Sequence, residues 1–270
     1  LLFLIFFLKW INEKNFEKLS TNTYLQLVFL ALAVYTRQYY ALIYIYCMYI
    51  YFKKFSLVNF VKLSFIVFVL AIPGFFLIYF DPELLLPNLL DKKLYNTVLI
   101  SSSILSFYLI PIFFAAIFLN KEKFEINKRE QLLFILISVV VVLSLSIFFN
   151  YNPKSGGGYF LKLSYLLTNS KVLFLITSAI GLILLFNLMY ENNDNVLIII
   201  LLIFGLSARL LFQKYFEPTF FFILFLMIKS DIPKIFLNNM KNIYFLFFYL
   251  SIYLTTAIIN NLYQITKTVL

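Results

Sequence analysis

Arg37-Gln38 is the pair in this chain best suited to bind an anion. It sits inside an apolar run, Thr21 to Phe52, whose only charge is Arg37. A guanidinium presents a planar fork of donors that matches phosphate or carboxylate oxygens, and it stays charged. Gln38 adds amide donors, and Tyr35, Tyr39, Tyr40 and Tyr44 around the pair suit interfacial depth. The pair reads as a clamp for an anionic headgroup. The plainer reading is an arginine that snorkels to the interface or pairs with a neighbouring helix. At a helix centre it would cost about 2.5–3.5 kcal/mol.

Three other polar stretches interrupt the apolar sequence. Asp81 and Glu83 are carboxylates that can accept a substrate proton, or they simply form an Asp-Pro turn before the next helix. Lys154-Ser155-Gly156-Gly157-Gly158-Tyr159 lets backbone N–H groups approach a phosphate or sugar, although it lacks P-loop spacing. The alternative is a flexible connector. Arg209, Gln213, Lys214, Tyr215 and Glu217 lie between two apolar segments. Their bases can neutralise a phosphate, and the alternative is a polar turn.

The composition excludes several classes. The 270 residues are 63% hydrophobic and 13% charged, with mean hydropathy +0.94. Soluble domains are about 45–50% apolar and about 25% charged, so a polytopic membrane protein is expected. There is no histidine and a single cysteine, Cys47. Histidine-based acid/base chemistry, thiolate metal clusters and disulfides within the chain are thereby removed. No cofactor is predicted, and no residue is assigned to a metal. The net charge of +10 comes from bases in short loops between apolar spans. That pattern is topological rather than a nucleic-acid footprint.

The elements that must position these residues are membrane spans. The fold class expected is all-α: a polytopic transmembrane helix bundle of about nine to ten spans, counting short ones, in one domain. Leu1–Leu8 is too short to cross about 30 Å of hydrocarbon and lacks the basic start of a signal peptide. It reads as the end of a truncated span, in a fragment whose N-terminal part is missing. Thr21–Phe52 is too long for one ordinary span and too short for two full ones, so two short helices meeting near Thr36–Gln38 are expected, with one long tilted helix as the alternative. Further spans are read over Leu63–Phe80, Leu94–Leu119, Gln131–Phe149, Val172–Tyr190, Asn195–Ser207, Thr219–Ile228 and Asn242–Leu262. Asn150–Lys171 reads as a longer, partly polar connection.

The positive-inside rule then places the basic segments Lys9–Ser20, Lys53–Lys62, Asn120–Glu130 and Lys229–Lys241 on the cytoplasmic side. The turn Glu191–Asn195 falls there too, although it carries no base. This leaves Arg37-Gln38, Asp81/Glu83, Gly156–Gly158 and the Arg209–Glu217 stretch together on the opposite face. Polar groups that converge on one membrane surface point to a site there.

The order of these features resembles the GT-C membrane glycosyltransferases. The likeness lies in Arg37-Gln38 at a helix junction, the Gly156-Gly157-Gly158 loop, and Leu210-Leu211-Phe212-Gln213-Lys214-Tyr215 before a span. It is nearest to the dolichyl-phosphoglucose α-1,2-glucosyltransferases. Tyr39-Tyr40 stand where that family has Thr-Asn, and the family's histidines have no counterpart. The resemblance implies sugar transfer from a polyprenyl-phosphate donor to an acceptor at the non-cytoplasmic membrane surface. It implies phosphate contacts from Arg37, Arg209 and Lys214. It also implies an acidic base upstream of Leu1, with Asp81 as a weak stand-in. The partners implied are a lipid-linked sugar donor and membrane lipids. Composition is consistent with a bacterial plasma membrane and an undecaprenyl-type carrier. A transporter or flippase of lipid-linked saccharide is the competing class. It predicts charges spread through several spans and repeated halves, whereas this sequence shows no internal repeat.

Overall fold

The computed structural model describes residues 2–11, 19–36, 40–80, 93–119, 128–152, 156–205 and 211–269. Among these, 89% are helical and no strand occurs. Twelve α-helices follow one another: α1 (Leu2–Ile11), α2 (Thr21–Thr36), α3 (Ala41–Lys54), α4 (Leu57–Phe80), α5 (Leu94–Phe114) and α6 (Lys128–Ser146). They continue as α7 (Gly158–Thr168), α8 (Val172–Glu191), α9 (Asn193–Gly205), α10 (Gln213–Phe222), α11 (Asp231–Leu237) and α12 (Met240–Val269). Short π-helical turns, Ala115–Leu119 and Ile223–Met227, extend α5 and α10. The fold is all-α, as the composition requires.

Among the described residues, five helices are long and apolar enough to cross a membrane: α4, α5, α6, α8 and α12. At 1.5 Å per residue, about 20 residues cover the hydrocarbon thickness. α1 and α9 are apolar but shorter. Among the described residues, the run Thr21–Phe52 forms two short helices, α2 and α3, which bond to each other through Gln26 and Tyr51 and through Tyr44 and the Leu27 carbonyl. Two helices were not expected as spans. One is α11, in the basic segment after Ile228. The other is α7, which corrects the reading of Asn150–Lys171 as a mere connection. Its 11 residues are too few to register as a span, and Lys162 lowers its hydropathy.

The described chain forms two compact units. The first contains residues 1–98 and 196–211. Its core is aromatic: Trp10 and Tyr51 are fully buried and meet edge to face at 5.0 Å. Two of its polar side chains bond across helices. Gln26 Nε2 donates to the Tyr51 hydroxyl, and the Tyr44 hydroxyl donates to the Leu27 carbonyl at 2.6 Å. Without water in the bilayer such groups must find protein partners.

The second unit contains residues 99–195 and 212–270. Helix α5 is its centre and is largely buried. It runs parallel to α8 along a seam of small and hydroxyl residues. Ser178 Oγ donates to the Leu99 carbonyl at 2.9 Å, and the Ser103 and Thr177 hydroxyls are 3.0 Å apart. A Cβ at Gly181 would lie 2.0 Å from the Ser102 carbonyl oxygen. The backbones touch there, as small residues allow between membrane helices.

One end of this unit is closed by a polar network. Asn195 Nδ2 donates to the Leu188 carbonyl at 2.7 Å and to the Lys229 carbonyl at 3.0 Å. Lys229 N returns a bond to Asn195 Oδ1 at 2.8 Å. Lys229 Nζ pairs with Asp194 at 2.7 Å, and Asp231 N donates to Glu191 Oε2 at 3.0 Å. The acidic turn and the basic segment that the charge pattern assigned to one side are therefore bonded to each other. Acidic partners here account for the absence of bases in Glu191–Asn195.

Candidate functional site

The opposite end of the second unit holds a cleft of about 470 Å³. It is built from α7, α10 and α12, and its geometry begins with three glycines. Gly156, Gly157 and Gly158 all have positive φ, at 128°, 85° and 81°. Side chains avoid that region. A Cβ on Gly158 would also lie 2.6 Å from Ile104 Cγ1. The turn therefore needs glycine for backbone shape and for its close approach to α5.

This turn aims the N-terminus of α7 into the unit. The far half of α7 is level with the start of α8. Ser164 Oγ donates to the Ser170 carbonyl at 2.7 Å and accepts from Phe174 N at 3.2 Å. Lys171 Nζ, at the start of α8, donates to the Phe149 carbonyl at 2.9 Å. Gly158, in contrast, abuts Ile104, ten residues into α5. That is about 15 Å along its axis at 1.5 Å per residue. The positive end of a short helix is thus turned inward.

Gln213, the first residue of α10, ties the turn to the next helix. Its Oε1 accepts the Tyr159 N–H at 2.9 Å. Gln213 is only 7% exposed. Its Nε2 faces the Tyr108 hydroxyl but has no hydrogen-bond partner of ordinary geometry. Lys162, one turn beyond Gly158, and Lys214 line the same cleft. The Lys214 ammonium also lies 5.5 Å from the Phe212 ring centre. Leu163, Leu166, Tyr253 and Ala257 form the apolar side. Tyr253 meets Tyr159 edge to face at 5.2 Å.

One turn along α10 from Gln213, Glu217 accepts the Tyr108 hydroxyl at 2.9 Å. Among the described residues of this unit, the other carboxylates are Glu130, Glu191, Asp194 and Asp231. All four belong to the far end or its loops, where Tyr190 also donates to Glu130 at 2.6 Å. Glu217 is the carboxylate at the cleft end. No group of three or more His, Cys, Asp or Glu side chains gathers among the described residues.

Comparison with protein families, curated proteins and solved structures finds no match. The site therefore rests on this chain's own geometry.

Of the residues singled out in the sequence, the structure brings together Gly156, Gly158, Gln213 and Lys214. Gly157 is the residue at the N-terminal cap of α7. Tyr215 is on α10, and its side chain is outside the described part. Arg37, Gln38, Tyr39, Asp81 and Arg209 lie outside the described residues. Three contributors were not singled out: Lys162, Tyr159 as a hydrogen-bond partner, and Tyr253. A signal existed for Lys162, because it falls four residues after a triple glycine, on the first-turn face of the helix that the glycines start. Tyr253 carries no such signal among 20 tyrosines.

Proposed function

We propose that this chain is a membrane glycosyltransferase that takes a sugar from a polyprenyl-phosphate donor. The observation that carries the proposal is the 2.9 Å bond between Tyr159 N and Gln213 Oε1. It joins the glycine turn to the Gln213-Lys214 stretch, the two described features behind the resemblance to GT-C enzymes. The cleft between them is lined by the Lys162 and Lys214 ammonium side chains and by hydrocarbon from Leu163, Leu166 and Ala257. A phosphate attached to a long apolar chain has the same two-sided chemistry.

In this reading Lys162 and Lys214 hold the phosphate and stabilise the charge it gains as it leaves. The sugar C1–O bond to phosphate breaks, and its electron pair stays on the phosphate. A new C1–O bond forms to the acceptor hydroxyl. Glu217 takes the hydroxyl proton as general base. The membrane is a bacterial plasma membrane, and the site is on its non-cytoplasmic face.

A transporter of lipid-linked saccharide is the competing reading. Sealed proteoliposomes containing the purified chain and polyprenyl-phosphate sugars labelled in the sugar separate the two. Label moving from lipid into a new glycoside supports the transferase. Donor crossing the bilayer with its sugar still attached supports the transporter.

A further inference from the structure

Glu217 sits one helical turn deeper than the glycine turn. The bond between Tyr159 N and Gln213 Oε1 ties that turn to α10 beside Ile104 of α5. Four residues further along both helices, Tyr108 of α5 donates to Glu217 of α10 at 2.9 Å. A step of four residues is about 6 Å along a helix axis. Tyr159, Gln213 and Tyr253 line the cleft, and Glu217 is not among the lining residues described. One oxygen of its carboxylate is taken by Tyr108, which is fully buried. Phe107 and Phe220 pack on the Tyr108 ring at 5.1 and 5.4 Å. A general base must reach the proton it removes, directly or through one intermediary.

Tyr253 of α12 joins the two levels. On the cleft side it meets Tyr159 edge to face at 5.2 Å. On the deeper side its ring stands 4.9 Å from that of Phe107, the neighbour of Tyr108. It interacts electrostatically with both Tyr159 and Glu217. Tyr249, one turn earlier on α12, packs on the same Phe107 ring at 5.1 Å. Tyr249 is not among the described lining residues, so it has the same packing without the access.

We infer that Tyr253 carries the acceptor proton from the cleft to Glu217. The inference rests on the proposed function for the reaction and adds a catalytic residue to it. As the new C1–O bond forms, the acceptor hydroxyl gives its proton to the Tyr253 oxygen. The Tyr253 proton passes to the Glu217 carboxylate, directly or across one water. Tyr253 is neutral before and after the step, and Glu217 ends as a carboxylic acid that still accepts from Tyr108. The same path in reverse returns the proton to water when the cleft empties.

The test uses the full chain in lipid nanodiscs, with a polyprenyl-phosphate hexose labelled in the sugar and membrane-extracted acceptors. Tyr253→Phe keeps both ring contacts and loses only the hydroxyl. It is expected to lower kcat about 10²-fold or more, with KM for the donor and the thermal midpoint unchanged. Tyr249→Phe is expected to transfer as the wild type does. Tyr253→Phe combined with Glu217→Gln falls no further than Glu217→Gln alone, because two groups on one proton path act as a unit. Full transfer by Tyr253→Phe, a change in KM alone, an equal loss in Tyr249→Phe, or single losses that multiply in the double variant overturns the inference and leaves the transferase reading standing. No transfer by the wild type removes that reading, and this inference with it.

Discussion

The side-chain carbonyl of Gln213 accepts the backbone N–H of Tyr159 at 2.9 Å, across 54 residues of sequence. That bond fastens the first turn of α7 to the first turn of α10. It uses up a donor that the free N-terminus of α7 would otherwise offer, and it sets the other end of the amide toward the Tyr108 hydroxyl. The site is therefore a pair of helix starts locked together, not a glycine loop that wraps a ligand by itself.

Gly158→Ala tests the turn. The added Cβ meets Ile104 at 2.6 Å on a backbone with φ of 81°. Strain of about 1–3 kcal/mol is expected, seen as a lower midpoint of thermal unfolding in detergent. An unchanged midpoint would mean that the turn relaxes freely.

Asn195→Ala tests the closed end. It removes donors to Leu188 and Lys229 and the acceptor for Lys229 N. Loss of a buried, fully used amide costs about 2–3 kcal/mol. Thermal unfolding followed by tryptophan fluorescence or differential scanning reads the change. Sugar transfer at low temperature is expected to persist, because the network is at the end away from the cleft.

Glu217→Gln tests the acid. The glutamine still accepts the Tyr108 hydroxyl, so shape and stability are kept. A proton acceptor is lost, and transfer is expected to fall about 10²–10⁴-fold, with binding of polyprenyl phosphate unchanged. A variant with full transfer would remove Glu217 from the chemistry.

Topology is checked by single cysteines at Lys162 and Lys234 in a Cys47→Ala background. Cys47 is fully buried, so its removal isolates the introduced thiols. Membrane-impermeant maleimide should reach Lys162→Cys from the non-cytoplasmic side and Lys234→Cys from the cytoplasmic side. Labelling of both from one side contradicts the arrangement.

Much of this architecture was legible because hydrocarbon-type sequence of about 20 residues has only one common use. The break of Thr21–Phe52 into α2 and α3 followed from its length together with the basic loops on both sides of it. The basic loops foretold that Glu191–Asn195 would share a side with Lys229–Lys241, and Asn195 and Lys229 are in fact bonded. What could not be read was α7. Eleven residues with one lysine look like a connection to any window tuned to spans, yet the three glycines fix where that helix starts and which way it points. The polar stretches at Gly156–Gly158 and Gln213-Lys214 were visible separately. Their contact was not, because it depends on the depth to which α7 re-enters along α5. Lys162, within the stretch read as a connection, was not singled out for the same reason. The clamp expected at Arg37-Gln38, and the roles expected of Tyr39, Asp81 and Arg209, fall on residues outside those described.

The most direct measurement is release of polyprenyl phosphate from polyprenyl-phosphate hexoses by the purified chain, in the presence of membrane-extracted acceptors. The wild-type chain is compared with the Lys162→Ala/Lys214→Ala double variant. The account predicts sugar transfer by the wild type and at least about a hundredfold lower transfer by the double variant, as expected when groups that stabilise a leaving phosphate are removed. Equal transfer by the two chains, or none by the wild type with any hexose donor, would contradict it.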